Sequence, residues 1–205
     1  MDLLLATGNA GKIREMESIL KPLGLTLRNV KRDFPTLPEP EEDGATFEEN
    51  ALKKARAWMK ATGITALADD SGLEVDALGG GPGIHSARYA ETTGARNAKL
   101  LAALSGVSDE ERTARFVCVA ALVRPDGTEV TRRGELPGRI ATEPSGEGGF
   151  GYDPLMWLDE RGCTVASLAE AEKNRISHRA RAVEALIPTL REWKMDLRSR
   201  REVES

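Results

Sequence analysis

The chain opens with an apolar run, Leu3-Leu4-Leu5, and from Lys12 onward apolar residues return at Ile13, Met16, Ile19 and Leu20. A short apolar run bounded by turn residues suits a buried strand, whereas three- and four-residue spacing suits one face of a helix. Pro22 and Gly24 then stop the helix. The predicted beginning is therefore strand, turn, helix. A second strand is expected over residues 25–30, followed by an exposed loop, "KRDFPTLPEPEEDGA", rich in proline and acid and without periodicity. Thr46 and Glu49 have the spacing of a capping box for a helix that carries Phe47, Ala51, Leu52, Ala55 and Trp58-Met59 and ends at Gly63.

Further along, "ITALADDSGLEV" reads as a strand running into two aspartates and a Ser-Gly turn, and the glycines of "LGGGPGIHSARY" mark a loop. A helix is predicted near Thr93 to Leu104. The stretch "TARFVCVAALVRPDGTEVTRRGEL" predicts a long hairpin that turns at Pro125-Asp126-Gly127, which makes the second half of the sheet antiparallel. "EPSGEGGFGYDPL" is a second glycine loop. Ser167 with Glu170 predicts a capped helix, and Ser177 opens a last helix through Ala185-Leu186, kinked or broken at Pro188. No repeat or linker divides the chain, so residues 1–205 are read as one domain.

Charge narrows the functions open to such a chain. A net charge of -4 and a pI near 5.4 lack the basic face that nucleic-acid binding needs, so no nucleic-acid partner is expected and any phosphate site must be local. The N-terminus "MDLLLATGN" has no basic segment ahead of its short apolar run, and no later stretch approaches membrane-spanning length, which predicts a cytoplasmic chain without a membrane partner. Cys118, Cys163, His85 and His178 give no zinc-type spacing.

The chemistry then falls to three groups of loop residues. The turn Thr7-Gly8-Asn9-Ala10-Gly11-Lys12 places backbone N–H groups at a helix start, where the aligned peptide dipoles attract anions, and Lys12 adds a full positive charge. The glycine spacing differs from a Walker A loop, and an ordinary capped turn with a surface lysine is the competing reading. Asp69 and Asp70, at a strand end, point to opposite faces, so one of them is placed for chemistry and the other for structure. Glu41 on the acidic loop has the character of a second ligand, with one aspartate, for a magnesium ion that holds a polyphosphate, although Glu41-Glu42-Asp43 taken alone is more often a solvated charge run. Phe150 and Tyr152 offer flat faces for stacking a base, and Lys173, His178 and Arg179 offer donors. Core packing of the two aromatics and an N-cap role for Ser177 are the alternatives.

Taken in order, "TGNAGK", "EEDGATFEENA", "ADDSGLEVDALGGGPGIHSARY", "GGFGYDP" and "EKNRISHR" resemble the inosine triphosphate pyrophosphatase family, the XTP/dITP diphosphohydrolases, over roughly Leu3 to Leu186. The resemblance implies an α/β fold: an elongated mixed β-sheet flanked by helices, two lobes with a central nucleotide cleft, and a homodimer. It further implies Mg2+-dependent hydrolysis of ITP, dITP and XTP to the monophosphate and pyrophosphate. Thr7, Gly8, Asn9, Ala10, Gly11 and Lys12 then correspond to the triphosphate loop, and Asp70 to the catalytic base that also touches the metal. Ser71 corresponds to a substrate contact beside Asp70, and Glu41 to a second metal ligand that Glu42 would replace if the loop shifts by one residue. Phe150, Gly151, Tyr152 and Asp153, with Lys173, His178 and Arg179, correspond to the base and sugar pocket. Donors aimed at a six-oxo group would reject adenine by leaving buried donors unpaired. The Arg-rich stretch beyond Leu190 lies outside the resemblance, and a loose end is expected beyond about residue 195.

Overall fold

Among the described residues eight strands occur: β1 (Asp2–Leu5), β2 (Thr26–Asn29), β3 (Ala66–Val75), β4 (Pro82–Gly83), β5 (Thr113–Val123), β6 (Glu129–Ile140), β7 (Met156–Leu158) and β8 (Cys163–Thr164). The structure is a computed structural model that describes residues 1–203, with side chains described through residue 196. Among these residues the strands form one sheet in the order β2-β1-β3-β5-β6-β7-β8, with β4 paired to β3. β1 lies parallel to both β2 and β3, whereas the β3–β4, β6–β7 and β7–β8 pairs are antiparallel, so the sheet is mixed as expected. Seven helices flank it: α1 (Ala10–Leu20), α2 (Val30–Asp33), α3 (Phe47–Thr62), α4 (Thr93–Ala103), α5 (Glu170–Ile176), α6 (His178–Glu184) and α7 (Ile187–Val203).

The chain divides into two compact units. The first comprises Met1–Asp70, Val119–Arg133 and the segment from Arg179 onward. Its core begins with Leu3, Leu4 and Leu5, all fully buried because a parallel strand between two neighbours is covered on both faces. From α1 come Met16 and Leu20, and from α3 come Phe47, Ala51, Ala55 and Trp58. Thr46 caps α3 by accepting from the Glu49 N–H at 3.1 Å, while the Glu49 carboxylate reaches one residue further back to the Ala45 N–H at 2.8 Å. Gly63 closes α3 with a φ of +70°, a conformation that an L side chain adopts only with strain.

The second unit comprises Ser71–Cys118 and Gly134–His178. Leu73, Val75, Leu100, Leu104, Phe116, Leu136, Ile140, Leu155 and Met156 form its core. Arg112 is buried at its margin and spends its guanidinium on three carbonyls, those of Leu104 at 2.9 Å, Ala141 at 3.1 Å and Val107 at 3.3 Å. That arrangement satisfies acceptors left over where α4 ends.

Four sequence expectations need correction. β3 does not stop at the aspartates but continues through Ser71 and Gly72 to Val75, with Leu73 and Val75 fully buried. The charges do not break the strand because each aspartate finds a partner inside the fold, described below. Ser167 does not cap α5; it ends a 3-10 turn, Val165–Ser167, with its hydroxyl 3.0 Å from Thr164 Oγ1, and Ala169 stands at the helix start. The last helix is broken, as expected, but the break falls at Ala185-Leu186 between α6 and α7, and Pro188 lies in the first turn of α7, where its missing N–H leaves no bond unmade. α2 was not foreseen in the acidic loop. The loose end expected beyond about residue 195 falls mostly on side chains outside the described ones, and the backbone there is helical through Val203. Among the described residues no helix is long and apolar enough to cross a membrane.

Candidate functional site

The turn between β1 and α1 is organised by Asn9. Its Oδ1 accepts from the N–H groups of Gly11 (2.9 Å) and Lys12 (3.2 Å), and its own N–H donates to Thr7 Oγ1 at 3.2 Å. Two helix-start donors that the sequence reading left open for an anion are thus occupied by the cap. What the turn presents is the positive end of the α1 dipole and a cation. Lys12 Nζ sits 2.8 Å from Asp69 Oδ2, with the carboxylate fully buried and the lysine slightly exposed.

Asp69 and Asp70 divide the work as alternation along a strand demands. Asp69 is a hub for cations, since Arg179 Nε also donates to its Oδ2 at 3.2 Å and Lys54 Nζ donates to its backbone carbonyl at 2.9 Å. Burial alone pushes the Asp69 carboxyl up, but Lys12, Arg179 and Lys54 outweigh it and hold the group well below the usual carboxylate range. Arg179, itself 1 % exposed, also pairs with Glu15 of α1, at 3 % exposure.

Asp70 turns the other way. Its Oδ2 accepts from Asn50 Nδ2 at 3.0 Å. Burial pushes its carboxyl upward, and the approach of Glu42 adds to that, against the pull of Asn50, Lys54 and Lys12. Lys54 pairs with Glu42, and despite its burial these carboxylates hold its ammonium above the ordinary value. The acidic loop therefore brings Glu42 toward Asp70, whereas Glu41 is exposed. Of the two carboxylates that sequence left exchangeable, Glu42 is the one drawn in. Among the described residues no group of three or more His, Cys, Asp or Glu side chains is placed to hold a metal ion. Asp70 and Glu42 together make the two-carboxylate set that suits an ion sharing its shell with phosphate and water. Ser71 follows Asp70 on β3, half-buried.

In the second unit, Asp153 is the keystone of the "FGYD" loop. Buried to 4 % exposure, it accepts from the Phe150 N–H at 2.7 Å and from Lys173 Nζ at 2.6 Å. Lys173 also lies 4.3 Å from the Phe150 ring centre, in cation–π contact. Phe150 stays 39 % exposed, an aromatic face available for stacking. Tyr152 is not: its ring belongs to the core and its hydroxyl donates to the Ser86 carbonyl at 2.9 Å. Burial pushes that phenol up to about 12, so it remains a neutral donor. Gly151 carries its carbonyl to Asn97 Nδ2 at 3.3 Å. Gly149 has a φ of +74°, and a Cβ there would collide with the Asp153 carboxylate. Gly149→Ala is accordingly expected to cost about 1–3 kcal/mol and to loosen Phe150 and Lys173, read as a lower urea midpoint and weaker nucleotide binding.

The structure separates the three late donors. Lys173 stays with Phe150 and Asp153, while His178 stacks on Phe116 of β5, with ring centres 5.0 Å apart at 26°. Arg179 turns into the buried ion network of the first unit. Asn50, Lys54, Glu15 and Phe116 are the participants that sequence reading missed. Asn50 and Lys54 carried a usable signal: they lie four residues apart on the face of α3 that also holds Phe47, Ala51 and Ala55, so they were polar side chains at core positions.

A mixed sheet flanked by helices, with Lys12 of α1 and Lys54 of α3 both meeting Asp69 beside Asp70 on β3, defines an α/β protein with charged groups concentrated at one strand. The chain belongs to the Ham1 family, which matches residues 3–189. A dITP/XTP pyrophosphatase of Geobacter sulfurreducens is 54% identical over 187 residues, covering 90% of this chain and 94% of that protein. A dITP/XTP pyrophosphatase of Thermus thermophilus is 52% identical over 189 residues, covering 91% of this chain and 90% of that protein. Among solved structures, a HAM1 protein from Coxiella burnetii superposes with a TM-score of 0.86 at 41% identity, covering 94% of this chain and 99% of its own.

Proposed function

We propose that the protein hydrolyses non-standard purine nucleoside triphosphates, dITP, ITP and XTP, to the nucleoside monophosphate and pyrophosphate. The observation that carries this reading is Asp70: a carboxylate pushed up by burial, held by Asn50 and flanked by Lys12 and Lys54, within a family whose relatives bear the name dITP/XTP pyrophosphatase.

Lys12 and the α1 start attract the triphosphate, and Lys54 adds a second positive charge beside Asp70. Asp70 takes a proton from a water as that water attacks the α-phosphorus in line, and pyrophosphate leaves. An elevated carboxyl is the better base for this because its proton affinity lies nearer the working pH. Phe150 stacks the base, and Lys173 and His178 are donors toward its six-oxo group. Asp70 and Glu42 would hold Mg2+, and the repulsion between Glu42 and buried Asp70 is what a cation would relieve. When bound, the ion supplies charge neutralisation on the phosphate oxygens. Mg2+ is therefore expected to raise the melting temperature of the wild type and to raise that of Asp70→Asn much less, as read by differential scanning fluorimetry. The working form is proposed to be a homodimer, which light scattering checks.

The test is a panel of dITP, ITP, XTP, GTP, ATP and dTTP with Mg2+, measuring pyrophosphate against orthophosphate. Pyrophosphate from the hypoxanthine and xanthine nucleotides supports the reading; orthophosphate as the primary product contradicts it.

A further inference from the structure

Gly8 sits in the phosphate turn without needing to be glycine for its backbone, since it is not among the glycines with positive φ. Its missing side chain leaves space that other residues fill. A Cβ on Gly8 would lie 2.5 Å from Lys31 Cε, 2.6 Å from Glu39 Oε1 and 3.2 Å from Lys31 Nζ. A cation and an anion from outside the turn thus converge over its open face. Lys31 is delivered there by α2, which is firmly anchored: Asn29 Oδ1 accepts from the N–H groups of Lys31 (2.9 Å) and Arg32 (3.2 Å), and Asp33 Oδ2 accepts from the Asn29 N–H at 2.8 Å. Both Lys31 and Glu39 are exposed, so an arriving anion meets them early.

Two other lysines proposed to serve the phosphate are already engaged, Lys12 with Asp69 and Lys54 with Glu42 and the Asp69 carbonyl. A triphosphate brings several negative charges to this place. Resting on the nucleotide reading above, we propose that Lys31 is a third cation for the triphosphate tail and that Glu39 is a placeholder anion, which the tail displaces from the mouth of the turn. Glu39 then has an effect opposite in sign to that of Lys31: its negative charge lies over the same face of Gly8 and competes with the phosphate when substrate arrives.

The test uses the full-length protein and two readouts, KM for dITP and competitive inhibition by inorganic tripolyphosphate, which has the tail without the base. Lys31→Gln is expected to weaken both by about two- to fivefold, the scale of one exposed ion pair, and the effect shrinks as salt is added. Glu39→Gln is expected to strengthen both, and that gain disappears when Lys31→Gln is also present. An unchanged tripolyphosphate constant in Lys31→Gln overturns the proposal, as does a Glu39→Gln effect that persists without Lys31. If the wild type releases no pyrophosphate from dITP, the catalytic reading falls, while tripolyphosphate binding measured by calorimetry still decides the role of Lys31.

Discussion

Asp70→Asn is expected to slow pyrophosphate release from dITP by roughly 10²- to 10⁴-fold, the usual contribution of a positioned general base, while nucleotide binding remains measurable. Asparagine keeps the shape and can still accept from Asn50, so the loss isolates the proton-accepting step. The variant carries a second signature. A carboxyl raised in the folded chain favours folding below its unfolded value and loses that contribution as pH rises through the folded one. In the absence of a divalent ion, ionised Asp70 therefore costs stability at neutral pH, because burial disfavours its charge. Asp70→Asn is then expected to melt no lower than the wild type at pH 7 without added metal. Full turnover in the variant would remove Asp70 from its assigned role, and marked unfolding would show that its charge serves the fold.

The largest expected effect on stability belongs to Arg179→Leu. The arginine is buried between Glu15 and Asp69, and its removal leaves two buried carboxylates short of a counterion. Breaking such a network from one side costs about 3–5 kcal/mol, far more than an exposed pair. Urea denaturation would show a lower midpoint with little change in slope. Adding Glu15→Leu to Arg179→Leu is expected to recover part of the loss, because it removes one of the stranded charges. The sign of the pH dependence follows from Asp69. A carboxyl held low in the folded chain contributes stability above its unfolded value, about 3.9, and loses it as pH falls through the folded one. Without Arg179 the Asp69 carboxyl rises, so acid unfolding moves to higher pH. A variant as stable as the wild type across that range would contradict the network.

Much of this fold was legible because its elements obey local rules. The β1 run, the α1 spacing, the α3 cap at Thr46 and the β5–β6 hairpin each follow from residues near one another in sequence. β3 was cut short because "DDSG" carries the local grammar of a turn. What overrides it is tertiary: Lys12, Lys54, Arg179 and Asn50 come from three distant segments to receive the two aspartates, and no window of sequence contains them. The candidate site was legible to the same degree. The turn at Thr7 to Lys12 and the acids near it stood out by residue type, whereas the fate of Tyr152 and Arg179 depended on burial. Tyr152 looked like a stacking residue and is core; Arg179 looked like a base donor and is engaged with Glu15 and Asp69. The Lys31 and Glu39 side chains gave no signal, since an exposed lysine and glutamate in an acidic loop look solvated until the chain folds over Gly8.

Turnover of dITP in water enriched in ¹⁸O, followed by mass analysis of both products, tests the chemistry most directly. Attack on the α-phosphorus by a water that Asp70 activates places the label in the nucleoside monophosphate and leaves pyrophosphate unlabelled. Label in pyrophosphate, or in orthophosphate released ahead of it, would contradict the account.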